Sequence, residues 1–153
     1  MLKIGDRAPE FVLQNQDGVD VGLKDLLGKK LVLYFYPKDN TSGCSLEAQE
    51  FTSLLEEFEN SGANVVGISP DSAQSHKRFI QNKELGIMLL SDPSRSVSAS
   101  YGVFGTKKMY GKEVQGIIRS TFIIDKNGVI LECFYNVRAK DHAQKVLHRL
   151  KEL

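Results

Sequence analysis

The chain has 153 residues, 41% of them hydrophobic, and 20 basic side chains against 19 acidic ones, a formal charge of +1. That length makes one domain, residues 1–153, with enough chain to bury a core, and so small a charge supplies no field to recruit nucleic acid or an anionic membrane. MLKIGDRAPEF lacks an apolar signal core, no run of about 18 apolar residues occurs, and two cysteines are too few for a disulfide framework or a four-thiolate zinc site, so a cytoplasmic protein is expected.

In chain order, FVLQNQDGVDVGL reads as a hairpin turning at Asp17 and Gly18, and LKDLLGKK as a brief helical turn ended by Gly28. LVLYFY, residues 31–36, is apolar on both faces, the mark of a central strand covered on both sides, and Pro37 stops it. From Cys44 to Asn60 the pattern is helical, with Phe51, Leu54, Leu55 and Phe58 on one stripe and Gly62 as terminator. NVVGIS is a second strand, and DSAQSHKRFIQNKELG a helix capped by Asp71 and Ser72 and stopped by Gly86. IMLLSD is a third strand, SRSVSASYG a short helix, and TKKMYGKEVQG a polar loop. GIIRSTFIID and VILECFYNV then form a hairpin across Asn127 and Gly128, and AKDHAQKVLHRLKEL closes the chain as a helix. This alternation predicts an α/β fold, a central mixed sheet flanked by helices on both faces.

Cys44 shares a helical stripe with Ala48, Phe51, Leu55 and Phe58, so it faces the body of the protein. It also opens its helix, where unpaired backbone N–H groups and the macrodipole present positive charge that favours thiolate over thiol. Asn40, Thr41 and Ser42 are all capping types, and a hydroxyl three residues before the sulfur is suited to a bound oxygen substrate. Pro37 stiffens the strand exit and offers no N–H to water.

Pro37, Thr41 and Cys44 in PKDNTSGC match the P-x-x-x-T-x-x-C motif of the peroxiredoxins, and YFYPKDNT followed by CSLEAQEF resembles their bacterioferritin comigratory protein branch, also called PrxQ. The likeness runs from GDRAPEFVLQNQDG through VVGISPDSAQSHKRF to RSTFIIDKNGVI. It implies a thioredoxin-like fold and reduction of hydroperoxides without metal or organic cofactor, by a monomer recycled by thioredoxin or another thiol. By the same resemblance, Cys44 is the nucleophile that becomes a sulfenic acid, and Thr41 holds the peroxide. Arg119 stabilises the thiolate and polarises the peroxide oxygens. Pro37 shields the pocket, Gly43 lets the backbone approach the substrate, and Glu47 orients Arg119.

Two positions depart from the branch pattern. Ser42 stands where a proline commonly precedes Gly-Cys, and Gln49 stands where many relatives carry a resolving cysteine, so the usual disulfide within that helix cannot form. Cys133 is then either packing on an apolar strand face, with Val129, Leu131, Tyr135 and Val137, or a substitute resolving thiol. A two-residue turn at Asn127 and Gly128 pairs Cys133 with Phe122 and turns it away from Arg119; a turn one residue longer pairs it with Thr121 and reverses that. The leading expectation is a one-cysteine cycle with an external thiol.

Other features read as structural. His76, His142 and His148 have no ligand-spaced partner and are expected at exposed helix positions. GLKDLLGKK has the wrong glycine spacing for a phosphate loop, and Lys107 and Lys108 are expected as a solvated loop pair. A thioredoxin-like disulfide reductase needs a C-x-x-C pair, which the chain lacks. A non-catalytic redox-sensing or holdase module is the other class left open, and it predicts binding without peroxide consumption.

Overall fold

The computed structural model describes residues 1–153, with the side chain of Met109 excepted. The elements are β1 (Val12–Asn15), β2 (Asp20–Gly22), α1 (Leu23–Leu26), β3 (Lys30–Phe35), α2 (Ser42–Ser53), α3 (Leu55–Asn60) and β4 (Ala63–Ser69). They continue with α4 (Ala73–Lys83), β5 (Met88–Ser91), α5 (Ser96–Ser100), β6 (Phe104–Met109), β7 (Lys112–Ile117), β8 (Ser120–Ile124), β9 (Ile130–Phe134) and α6 (His142–Glu152). Seven strands form one sheet in the order β2-β1-β5-β4-β3-β8-β9. The β3–β4 and β4–β5 pairs are parallel and the others antiparallel, the mixed sheet that the alternation of elements predicts. Among the described residues no helix is long and apolar enough to cross a membrane.

The apolar run of β3 divides between two cores. Leu31, Leu33 and Phe35 pack on one face of the sheet with α1 and α5, while Val32, Tyr34 and Tyr36 pack on the other with α2, α3, α4 and α6. Successive side chains of a strand point to opposite faces, so a continuous hydrophobic run is what a doubly covered strand requires. Tyr34 stacks on Phe51 of α2 with ring centroids 4.7 Å apart. Its partner in register on β4 is Gly67, where a Cβ would stand 2.7 Å from the ring, so this glycine makes room for the tyrosine that seats α2.

The structure departs from the sequence expectations in four places. The helix begun before Cys44 breaks at Leu54, whose φ −102° and ψ 4° leave the helical range, so α3 is a separate turn and a half. Helix α4 ends at Glu84, which takes the left-handed conformation itself, φ 52° and ψ 49°, instead of leaving that task to Gly86. TKKMYGKEVQG is no loop: β6 and β7 pair from Phe104↔Ile117 to Met109↔Lys112, and Tyr110 and Gly111 turn the ribbon with φ 53° and 77°. Positive φ at both central residues gives the reversal a two-residue hairpin needs.

The fourth departure is at β8 and β9. Asp125 N–H donates to the Val129 carbonyl, which is the longer of the two possible turns, but a bulge between Ile123 and Ile124 shifts the register back by one, so Cys133 faces Phe122. The bulge also divides β9. Leu131 packs with the core beneath α2, whereas Cys133 and Tyr135 pack against the core on the other face, so the uniform face expected for the strand is not formed.

Candidate active site

Helix α2 begins at Ser42, with Thr41 in extended conformation as its N-cap and Ser45 N–H bonded to the Thr41 carbonyl at 2.8 Å. Cys44 therefore lies in the first turn, and it is 2% exposed because its stripe, with Ala48 and Phe51, packs on the sheet. Thr41 does not cap with its hydroxyl, which donates instead to the Lys38 carbonyl at 2.8 Å. That bond fixes the rotor and leaves the oxygen's lone pairs as acceptors. Asn40 makes the corner before it at φ 62°, a conformation asparagine tolerates better than most residues.

Arg119, just ahead of β8, divides its guanidinium between two partners on α2. Nη1 donates to Glu47 Oε1 at 2.6 Å and Nη2 to Cys44 Sγ at 3.3 Å. Gly43 permits the approach, since a Cβ there would stand 3.3 Å from Nη2. Sequence reasoning gave Gly43 a role toward substrate; the contact it makes room for is the arginine. Glu47 is fully buried, and burial pushes its carboxyl up to about 7 against the opposing pull of Arg119. For Arg119 burial acts downward, but Glu47 and Cys44 outweigh it and hold the guanidinium above its ordinary value. Among the described residues, Glu47 Oε2 and the Tyr34 hydroxyl are buried without a hydrogen-bond partner.

Pro37, Thr41, Gly43, Cys44 and Arg119 all line one cleft of about 640 Å³, and the β6–β7 ribbon forms its far wall through Lys107 and its neighbours. Glu47 lies behind Arg119 and off the cleft. The six residues singled out from the sequence thus form one cluster. Gln49 is exposed on α2, and Ser42 is the exposed first residue of the helix, a position that accepts many residue types.

Beneath the loop lies a polar network that sequence reasoning missed. The Asp39 carboxylate accepts from the Tyr36 hydroxyl at 2.6 Å and the Ser75 hydroxyl at 2.7 Å, and faces His76 Nδ1 at 2.8 Å. His76 Nε2 bonds the Leu90 carbonyl at 2.9 Å, and Asp39 N–H donates to Asp71 Oδ2 at 2.8 Å. His76 is 0% exposed, against the expectation of a surface helix position; its spacing of three from buried Phe79 was the available signal. Asp39, Asp71 and His76 have ligand atoms within 4.8 Å of one another, but the facing atoms are engaged in these protein hydrogen bonds.

His142 corrects the same expectation. It is buried against Thr121 Oγ1, 2.7 Å from Nε2, and burial, with Arg119 and Lys145, lowers it to about 4. His148 is exposed as expected. Lys107 is half-buried where a solvated lysine was expected, while Lys108 is exposed. Cys133 is half-buried on the far face of the sheet, 3.7 Å from the Leu2 carbonyl; burial, Glu132 and Asp6 all push its thiol up.

The pattern of the AhpC/TSA family matches residues 4–133. The chain belongs to that family. A peroxiredoxin Bcp of Helicobacter pylori is 58% identical over 149 residues, covering 97% of this chain and 98% of its own. A cysteine-to-serine mutant of Xylella fastidiosa PrxQ superposes with a TM-score of 0.93 at 38% identity, covering 99% of this chain and 97% of its own. The Xanthomonas campestris bacterioferritin comigratory protein, solved for its alkyl peroxide reduction activity, superposes with a TM-score of 0.87 at 37% identity, over 93% and 90% of the two chains. This peroxiredoxin therefore carries the thioredoxin-like fold of the Bcp/PrxQ branch, as its motif implies.

Proposed function

We propose that this peroxiredoxin is a thiol peroxidase that reduces hydrogen peroxide and organic hydroperoxides through Cys44. The observation that carries the reading is the 3.3 Å contact of Arg119 Nη2 with Cys44 Sγ at the opening of α2. A guanidinium and unpaired helix N–H groups together stabilise negative charge on a sulfur, and the thiolate is the nucleophilic form.

In the reaction, the sulfur attacks the hydroxyl-bearing oxygen of the peroxide. An S–O bond forms as the O–O bond breaks, sulfur gives up two electrons, and the departing oxygen leaves as an alkoxide or hydroxide that takes a proton from water. Thr41, its own hydrogen held by Lys38, accepts the peroxide O–H. Arg119, held in plane by Glu47, donates to the peroxide oxygens as charge develops. Pro37 and the β6–β7 ribbon limit the water that reaches the sulfur.

An external thiol then attacks the sulfenic sulfur and releases water, and a second thiol exchanges with the mixed disulfide to restore Cys44. The place of Cys133, behind the sheet, supports recycling by thioredoxin or a similar thiol over an internal disulfide. The reading extends to a monomer working in the cytoplasm, where a reduced thiol pool is available. Its test is single-turnover stopped flow with hydrogen peroxide: the wild type consumes one equivalent and Cys44→Ser none. A wild type that binds unfolded clients yet consumes no peroxide overturns it in favour of a holdase or sensor.

A further inference from the structure

Lys107 is placed unlike a surface lysine. In the β6–β7 ribbon it stands opposite Val114, and beside it Gly105 and Gly116 face each other in register, so that stretch of the inner face carries no side chain. Into this slot the lysine folds. A Cβ on Gly116 would stand 2.9 Å from Lys107 Cε, and Lys107 Nζ donates to the Ile117 carbonyl at 2.9 Å. A long cationic side chain normally extends its head into water; this one is tied back to the strand that leads into Arg119.

Lys107, Cys44 and Arg119 line the same cleft, whose described lining holds four cations, Lys38, Arg95, Lys107 and Arg119, and no carboxylate. In a chain with a formal charge of only +1, such a one-sided set is not the average of the surface. The charged and titratable groups that share the cleft lining with Lys107 are Cys44 from α2, Arg119 ahead of β8, Lys38 after β3, Arg95 ahead of α5 and Tyr110 at the turn of the ribbon. Towards the ribbon tip, Lys112 pairs with Met109 and Glu113 with Lys108. Burial and then Arg119 lower the lysine, and Cys44 draws it back up, so its charge is coupled to the reacting pair.

We infer that Lys107 is a positioning residue of the peroxide step, a second fixed cation that stabilises the negative charge passing to the departing oxygen while Arg119 holds the sulfur side. This rests on the peroxidase reading above. No atom is transferred from the lysine: the S–O bond forms, the O–O bond breaks, and the departing oxygen still takes its proton from water. The wall opposite the nucleophile thus contributes charge as well as shape.

The test is stopped-flow oxidation of pre-reduced full-length protein by hydrogen peroxide, from about pH 6 to 10, in the wild type, Lys107→Met and Lys107→Arg. Loss of the charge is expected to slow Cys44 oxidation about tenfold near neutral pH. The wild-type rate is expected to fall on the alkaline side as Lys107 loses its proton, a limb absent from both variants, and the arginine variant to keep most of the neutral rate. Equal neutral rates in wild type and Lys107→Met, an alkaline limb that survives in Lys107→Met, or an arginine variant as slow as methionine overturns the inference. No oxidation in any of the three, wild type included, overturns the peroxidase reading itself.

Discussion

Cys44 and Cys133 belong to different cores, on opposite faces of the seven-stranded sheet. Joining them as a disulfide requires Cα atoms within about 7 Å and facing Cβ vectors, and β3 and β8 lie in the way. Cys133→Ser is therefore expected to keep peroxidase turnover with an external thiol within about twofold of wild type. Peptide mapping after one equivalent of peroxide should find an added oxygen on Cys44. A linked peptide containing both cysteines, or loss of turnover in the serine variant, contradicts the one-cysteine cycle.

Glu47 and His142 impose opposite pH dependence on stability. Glu47 is raised from 4.5 to about 7, so the folded state holds a proton that the unfolded state has released, and stability falls as pH rises through that window. His142 is lowered from 6.5 to about 4, so the unfolded state binds the extra proton, and stability is lost as pH falls from 6.5 towards 4. Each effect amounts to about 3 kcal/mol at full separation, and between the two ordinary values they largely cancel. Glu47→Gln should uncover the histidine, with a melting temperature that climbs with pH between 4.5 and 6.5; His142→Asn should uncover the glutamate and show the reverse. Stability curves of both variants parallel to the wild type contradict the assignment.

Much of this architecture was legible in the sequence because the signals were local. The run at β3 is apolar on both faces since both faces are covered, and the stripe through Cys44, Ala48 and Phe51 fixes the direction of the sulfur. What stayed illegible depends on contacts distant in sequence. His76 is buried because Asp39, 37 residues away, meets its ring, and its spacing of three from Phe79 within α4 hints at burial without revealing that partner. The ribbon around Lys107 looked like a loop because an exposed two-stranded element needs no apolar face, and Tyr110-Gly111 is not among the usual turn pairs. At β8–β9 the turn and the bulge cancel one another, and only the pairing itself reveals the bulge.

Ser42 occupies the first position of α2, where an N–H has no intrahelical partner, and Thr41 before it has φ −79° and ψ 155°, the extended conformation a following proline demands. Ser42→Pro should therefore stabilise the protein by about 0.4–1 kcal/mol in urea unfolding, by restricting the unfolded chain. Oxidation of Cys44 by peroxide should be unaffected. A destabilised variant means that the turn into α2 does not tolerate the ring.

The loop carrying Thr41 is held from below by Asp39, whose carboxylate is 5% exposed as a residue and receives Tyr36, Ser75 and His76 together. His76 Nε2 faces a carbonyl, which only accepts, so that nitrogen carries hydrogen, while Nδ1 faces both the Asp39 carboxylate and the Tyr36 hydroxyl. Replacing the carboxylate by an amide leaves one oxygen acceptor where Tyr36, Ser75 and His76 now share two, and disrupting a buried hydrogen-bonded set in this way costs about 1–3 kcal/mol. Asp39→Asn should lose that much in chemical denaturation, while His76→Asn in the same background should add far less than it does alone, as a double-mutant cycle will show. Since the same loop positions Thr41 and opens α2, Asp39→Asn should also slow Cys44 oxidation at temperatures where it remains folded. Additive losses in the cycle, or an oxidation rate equal to wild type, would separate the network from the loop it underlies.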